Sequence, residues 1–186
     1  FLGLTITVIA AFFVSQGPFV LGPVLILLGG ALDLIDGGLA RHKNKATNFG
    51  ALLDSVVDRI QEAVILLALS LYYLFVQSDN DFLMTSLFDG ISITIANAGV
   101  VLSYTAFVSS VMVSYLRARS EGLGIECKIG IMTRPERVIA VALGMLISYW
   151  FPITIIFVLA IMTLLGFFTV LQRIIHTFNS LKNEEL

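Results

Sequence analysis

Long uncharged blocks alternate with short charged ones along this chain. Residues 1–32 carry no charge, and neither do 63–78, 90–116 or 138–172. Each block is about as long as one membrane crossing, roughly 20 residues, or holds more than one. Six spans follow. The first ends near Ser15, before the turn signal Gln16-Gly17-Pro18, and the second begins near Phe19 and carries Asp33 and Asp36 at its far end. The third starts near Asn48, holds Asp54 and Asp58 in its first turns and continues to about Val76. An acidic loop, Gln77 to Asp89, leads to a fourth span over Ile91 to Tyr115, which runs on through Arg117 and Arg119. A connector with Gly122, Gly124 and Gly130 precedes a fifth span, opened by Arg134-Pro135-Glu136-Arg137 and ending near Trp150. Proline costs nothing in that first turn, where its missing N–H has no helical partner. The sixth span ends around Arg173 to His176, and the tail from Asn179 is polar.

Composition sharpens this picture. Of 186 residues, 58% are hydrophobic and 13% charged, about half the charged share of a soluble domain, and the mean hydropathy is +0.96. The pattern predicts an all-α integral membrane protein with six transmembrane helices, a single domain over 1–186. The opening Phe1-Leu-Gly-Leu-Thr5 has no initiator Met and no basic residue, so a native N-terminal segment is expected before it. All eleven Lys and Arg residues fall at one set of span ends: 41–59, 117–137 and 173–182. The positive-inside rule then turns that side to the cytoplasm of a cell membrane. Cys127 is the only cysteine and forms no internal disulfide. Asn97 is expected as a buried amide inside the fourth span.

The candidate chemistry lies at 33–58. Asp33 and Asp36 are three residues apart, and Asp54 and Asp58 four apart, so each pair shares a helix face. The polar link His42 to Thr47 would turn the third span back beside the second, so that the four carboxylates converge. Four such charges repel unless cations are held between them, and carboxylate oxygens suit two Mg²⁺ ions, or Mn²⁺. Gly37 and Gly50 leave room for phosphates to approach the backbone, and Arg41 offers a planar fork to a diphosphate. Carboxylates within a membrane also mark cation paths, but transporters place them near the midplane, in related halves. Here all four lie at one interface, and the halves do not repeat.

The stretch Asp33-x2-Asp36-Gly37-x2-Ala40-Arg41-x8-Gly50-x3-Asp54-x3-Asp58 resembles the signature of the CDP-alcohol phosphotransferase family at every fixed position. The resemblance implies an active site at the cytoplasmic ends of helices 2 and 3 and release of CMP from a CDP-linked donor. It also implies metal binding by Asp33, Asp36, Asp54 and Asp58, with Asp58 as the catalytic base. Asp33, Gly37, Ala40, Arg41, Gly50 and Asp54 would line the CDP site. Ser114-Tyr115-Leu-Arg117-Ala-Arg119 and Arg134-Pro-Glu-Arg137 are similar to the branch that makes phosphatidylinositol phosphate or archaetidylinositol phosphate. In that branch the acceptor is inositol 1-phosphate, and Arg117, Arg137 and Arg173 match the positions that bind its phosphate. From the residues alone, these arginines suit lipid headgroups equally well. Expected partners are the CDP-linked donor, the phosphorylated polyol, membrane lipid and a second copy in a homodimer, with no nucleic acid. Glycerol 3-phosphate as acceptor (phosphatidylglycerophosphate synthesis), serine, and CDP-inositol as donor to inositol phosphate (di-inositol phosphate synthesis) are the alternatives.

Overall fold

The computed structural model describes residues 2–17, 19–42, 47–77, 82–84 and 93–184; over 34–42, 82–84, 93 and 184 the description is of the backbone. Its six helices follow the predicted segments in order: α1 (Leu2–Ser15), α2 (Leu21–His42), α3 (Asn48–Phe75), α4 (Ile95–Glu121), α5 (Arg134–Ser148) and α6 (Thr154–Glu184). Gly17, at φ +95°, turns the chain out of α1. Thr47 starts α3 by accepting the Gly50 N–H at 3.0 Å, and Thr94 starts α4 by accepting that of Asn97 at 3.1 Å.

Three expectations are corrected. The segment before α4 is not wholly loop: β1 (Phe82–Met84) pairs antiparallel with β2 (Ile93–Thr94), a short ribbon on a fold that is otherwise all-α as expected. Ile93 and Thr94 are β-branched and favour a strand, and Thr94 is then in place to cap α4 at Ile95 rather than Ile91. Asn97 therefore sits in the first turn of α4, exposed and not buried. Lastly, α6 runs on through the polar tail to Glu184, since no Gly or Pro follows Gly166 in it.

α1 packs on α2 and α3, α4 on α3 and α6, and α5 between α2 and α6. Ala10, Val14, Leu69, Ala106, Met145 and Leu159 are fully buried where these helices meet. Close approach of α3 and α4 depends on Gly99, where a methyl group would lie 2.2 Å from the Tyr73 ring. The outer faces are apolar too: Leu67, Leu74, Val101, Phe157, Ile161 and Leu164 are each more than half exposed. A water-facing surface would not carry such a belt. Ile95–Glu121 and Thr154–Asn183 are long and apolar enough to cross a membrane.

Candidate active site

Polar side chains converge at one end of the bundle, where α2 ends and α3 and α5 begin. Asp33 on α2 accepts from the Gln61 Nε2 amide at 2.9 Å. Its carboxylate lies over the start of α1, where a Cβ on Gly3 would meet Asp33 Oδ1 at 2.0 Å. Only glycine leaves room for the acid there. On α3, Asp54 is exposed, Asp58 is half-buried, and Gln61 and Glu62 are buried. Residues 54, 58 and 61–62 follow the helical repeat, so they share one face.

α5 supplies the cations. Arg134, its first residue, places NH1 2.7 Å from Asp58 Oδ1 and donates through NH2 to Gln61 Oε1. One turn on, Arg137 is 2% exposed and pairs with Glu62 through two bonds, Nε to Oε1 at 2.7 Å and NH2 to Oε2 at 3.1 Å. Its NH1 donates to the Met132 carbonyl at 2.9 Å. Three of its five N–H groups are thus engaged. Arg173 on α6, 3% exposed, donates to the carbonyls of Ile129 and Val113. Gly130, at φ +127°, lets the connector reach Arg173: a Cβ there would lie 2.5 Å from Thr169 Cγ2. On the same connector Glu126 pairs with Lys128, which holds that exposed carboxyl below its usual range. Arg117 on α4 is about half exposed and pairs with Glu121 at 2.9 Å.

Asp58, Arg59, Arg117, Arg134, Arg137 and Arg173 line one cavity of about 320 Å³, together with Glu62, Glu121 and the hydroxyl residues Ser55, Ser114 and Thr133. The structure therefore brings Arg117, Arg137 and Arg173, distant in sequence, to the chamber that holds Asp58. Asp36, Gly37, Ala40 and Arg41 lie on the last turns of α2; their expected roles concern side chains and close approaches outside the described residues. Gly50 has a local role as well, since a Cβ would press on the capping Thr47 Oγ1 at 3.0 Å.

Gln61 and Glu62 did not stand out in the sequence reading. The signal was there, because they lie three and four residues beyond Asp58 on its own face. Arg134 was visible within Arg-Pro-Glu-Arg, but not its carboxylate partner.

A metal fits this site by chemistry. The acidic donors are carboxylates, the hard oxygen set that Mg²⁺ and Mn²⁺ take, and Asp58 already holds a positive group. Among the described residues no three His, Cys, Asp or Glu side chains are grouped as a metal cage. Asp36, the fourth acid expected, is outside that set.

A profile of the CDP-alcohol phosphatidyltransferase family matches residues 1–181. The chain belongs to this family. It is a transferase of phosphate-containing groups, and the cation-path reading is set aside. The archaetidylinositol phosphate synthase of Methanothermobacter thermautotrophicus is 35% identical over 173 residues, covering 90% of this chain and 75% of the relative. The phosphatidylinositol phosphate synthase of Cutibacterium acnes is 30% identical over 169 residues, covering 86% and 73%. Among solved structures, the phosphatidylinositol phosphate synthase of Mycobacterium tuberculosis with CDP-DAG bound superposes with a TM-score of 0.80 at 25% identity, covering 95% of this chain and 83% of that one. The same enzyme has been solved in complex with manganese and citrate.

Proposed function

We propose that this family member transfers the phosphoalcohol of a CDP-linked lipid, CDP-diacylglycerol or CDP-archaeol, to inositol 1-phosphate and releases CMP. One observation carries the reading: Asp58 and five arginines line a single cavity of about 320 Å³, which also offers carboxylates and hydroxyls. A phosphorylated polyol needs both halves of that lining, cations for its phosphate and oxygen acceptors for its ring hydroxyls. The names of the relatives in the archaetidylinositol and phosphatidylinositol phosphate branch point the same way.

In this reading Asp33, Asp36, Asp54 and Asp58 hold two dications, Mg²⁺ or Mn²⁺. Bound there, the ions supply charge neutralisation for the diphosphate. Gly37, Ala40, Arg41 and Gly50 line the CDP site with Asp33 and Asp54. Asp58 takes the proton from the acceptor hydroxyl, whose oxygen bonds to the lipid-side phosphorus as the bond from that phosphorus to the CMP oxygen breaks. Arg117 is the most accessible of the three cations proposed for the acceptor's phosphate. Arg137 is fixed by Glu62 and keeps two N–H groups to offer, while Arg173 closes the far wall. Six membrane crossings, a cytoplasm-facing site, one catalytic domain and a homodimer complete the proposal. It rests there on the apolar outer belt and on the gathering of Lys and Arg at one set of helix ends.

The test is an assay of detergent-purified protein with CDP-diacylglycerol, CDP-archaeol and CDP-inositol, each against inositol 1-phosphate, glycerol 3-phosphate and free inositol. CMP release with a CDP-lipid and inositol 1-phosphate, and little with free inositol, is the expected result. Preference for glycerol 3-phosphate or for free inositol would overturn the acceptor assignment, and turnover with CDP-inositol alone would overturn the lipid donor.

A further inference from the structure

We propose that Arg134 is the built-in counter-ion of the acid cluster: it holds Asp58 where a dication would bind, and yields the carboxylate when one arrives. The inference rests on the reading of Asp58 as a metal ligand. Arg134 meets Asp58 Oδ1 at 2.7 Å. A Mg²⁺ on the same carboxylate, at about 2.0–2.1 Å, would stand against a guanidinium of like charge. Both cannot be held at full strength.

Arg134 is anchored for release. Its side chain is 30% exposed, and its Nε is buried with no hydrogen-bond partner. Arg137, one turn later, is 2% exposed with all three nitrogens bonded. Arg134 heads α5, directly after the irregular connector, whereas Arg137 lies inside the helix. Its second anchor is Gln61, 4% exposed, whose amide passes the contact on to Asp33. A dication on Asp58 therefore also frees Gln61 Oε1, loosening the hold on the second carboxylate. Arg59 is the internal comparison. Its charge also reaches Asp58, but its guanidinium donates to the Ser55 carbonyl, a bond that metal binding need not break.

The experiment is Mn²⁺ binding to metal-stripped full-length protein in detergent, read by the electron paramagnetic resonance of free Mn²⁺, beside melting temperatures in chelator and in saturating Mn²⁺. Arg134→Gln should bind Mn²⁺ about tenfold more tightly than wild type, the scale of one charge-assisted hydrogen bond removed from competition. Its melting temperature should fall in chelator and gain more from Mn²⁺ than wild type gains, because a ligand stabilises in proportion to its occupancy term. Arg134→Lys, which keeps the charge but loses the fork, should bind Mn²⁺ with intermediate affinity, and it serves if Arg134→Gln does not fold. An affinity unchanged or weakened in both variants would overturn the proposal, as would Arg59→Gln tightening Mn²⁺ as much as Arg134→Gln. An equal loss of melting temperature with and without Mn²⁺ would make Arg134 a structural pin instead. If wild type takes up no Mn²⁺ at all, the metal reading falls first and this inference with it.

Discussion

The site has an acid wall and a basic one: Asp33 and Asp58 each accept from a single neighbouring side chain while Asp54 lies exposed, and of these three Asp58 lines the cavity; across it, Arg137 and Arg173 are almost fully buried and tied to Glu62 and to backbone carbonyls. Both walls carry concentrated charge. The acids are held by few bonds: Asp54 is exposed, and Asp58 has only its pair with Arg134 to give up, so a ligand can be taken without disturbing the packing of the helices. The arginines are built into the packing of α3, α4, α5 and the connector, so removing one removes part of the fold as well as a ligand contact. Charge alone does not tell the two kinds apart; the partners do.

The hardest test of the acid wall is to remove its charge. Asp54→Asn, and likewise Asp36→Asn, should drop CMP release below about a tenth of wild type, because a shared dication site supplies several kcal/mol to the reaction. Chelator-treated protein should be inactive and recover with Mg²⁺ or Mn²⁺, and poorly with Ca²⁺, whose longer bonds misplace the phosphates. Normal folding of the Asp variants, seen as a melting temperature near wild type, would sharpen the contrast with the basic wall. Full turnover in excess chelator would erase it.

The basic wall should break differently. Arg137→Met leaves Glu62 buried without its partner and should lose about 3–5 kcal/mol of stability, and Glu62→Gln should lose a comparable amount. The double variant should be more stable than either single one, since no lone charge stays inside. Additive losses in a denaturation cycle would show that the pair is not coupled.

A smaller effect is expected where the connector supports the wall. Gly130→Ala forces a side chain into φ +127° and against Thr169, which should cost about 1–3 kcal/mol by thermal denaturation and leave donor affinity unchanged. The smallest effect on stability belongs to Arg117. Its exposed pair with Glu121 contributes less than about 1 kcal/mol. Arg117→Ala should keep its melting temperature yet raise the acceptor KM about tenfold, the scale of one charge-assisted hydrogen bond. An acceptor KM within about twofold of wild type would return Arg117 to a headgroup anchor.

Helical order and the acid signature were readable from the chain because both are local. An uncharged block of span length, or carboxylates three and four residues apart, needs only the helical repeat to be interpreted. Six helices stand where the charge pattern predicted six segments, and Asp58, Gln61 and Glu62 lie on one face because of the same repeat. The short pairing of β1 with β2 was hidden, because strands of three and two residues carry too little alternation to be seen. The helical tail of α6 was hidden by its polarity, which speaks of water and not of helix.

What the sequence by itself determined was the family, the order of the helices and which residues carry charge. Tertiary structure decided which charges are free to act. Arg134 meets Asp58 and Gln61 from across the fold, Arg137 finds Glu62 75 positions away, and Arg173 reaches Val113 across 60. Such pairs depend on how helices cross, and crossing is set by small contacts such as Gly99 under Tyr73 and Gly3 under Asp33, where one missing methyl group lets two elements close. An arginine in a sequence is a charge, and only packing makes it a ligand, a counter-ion or a pin.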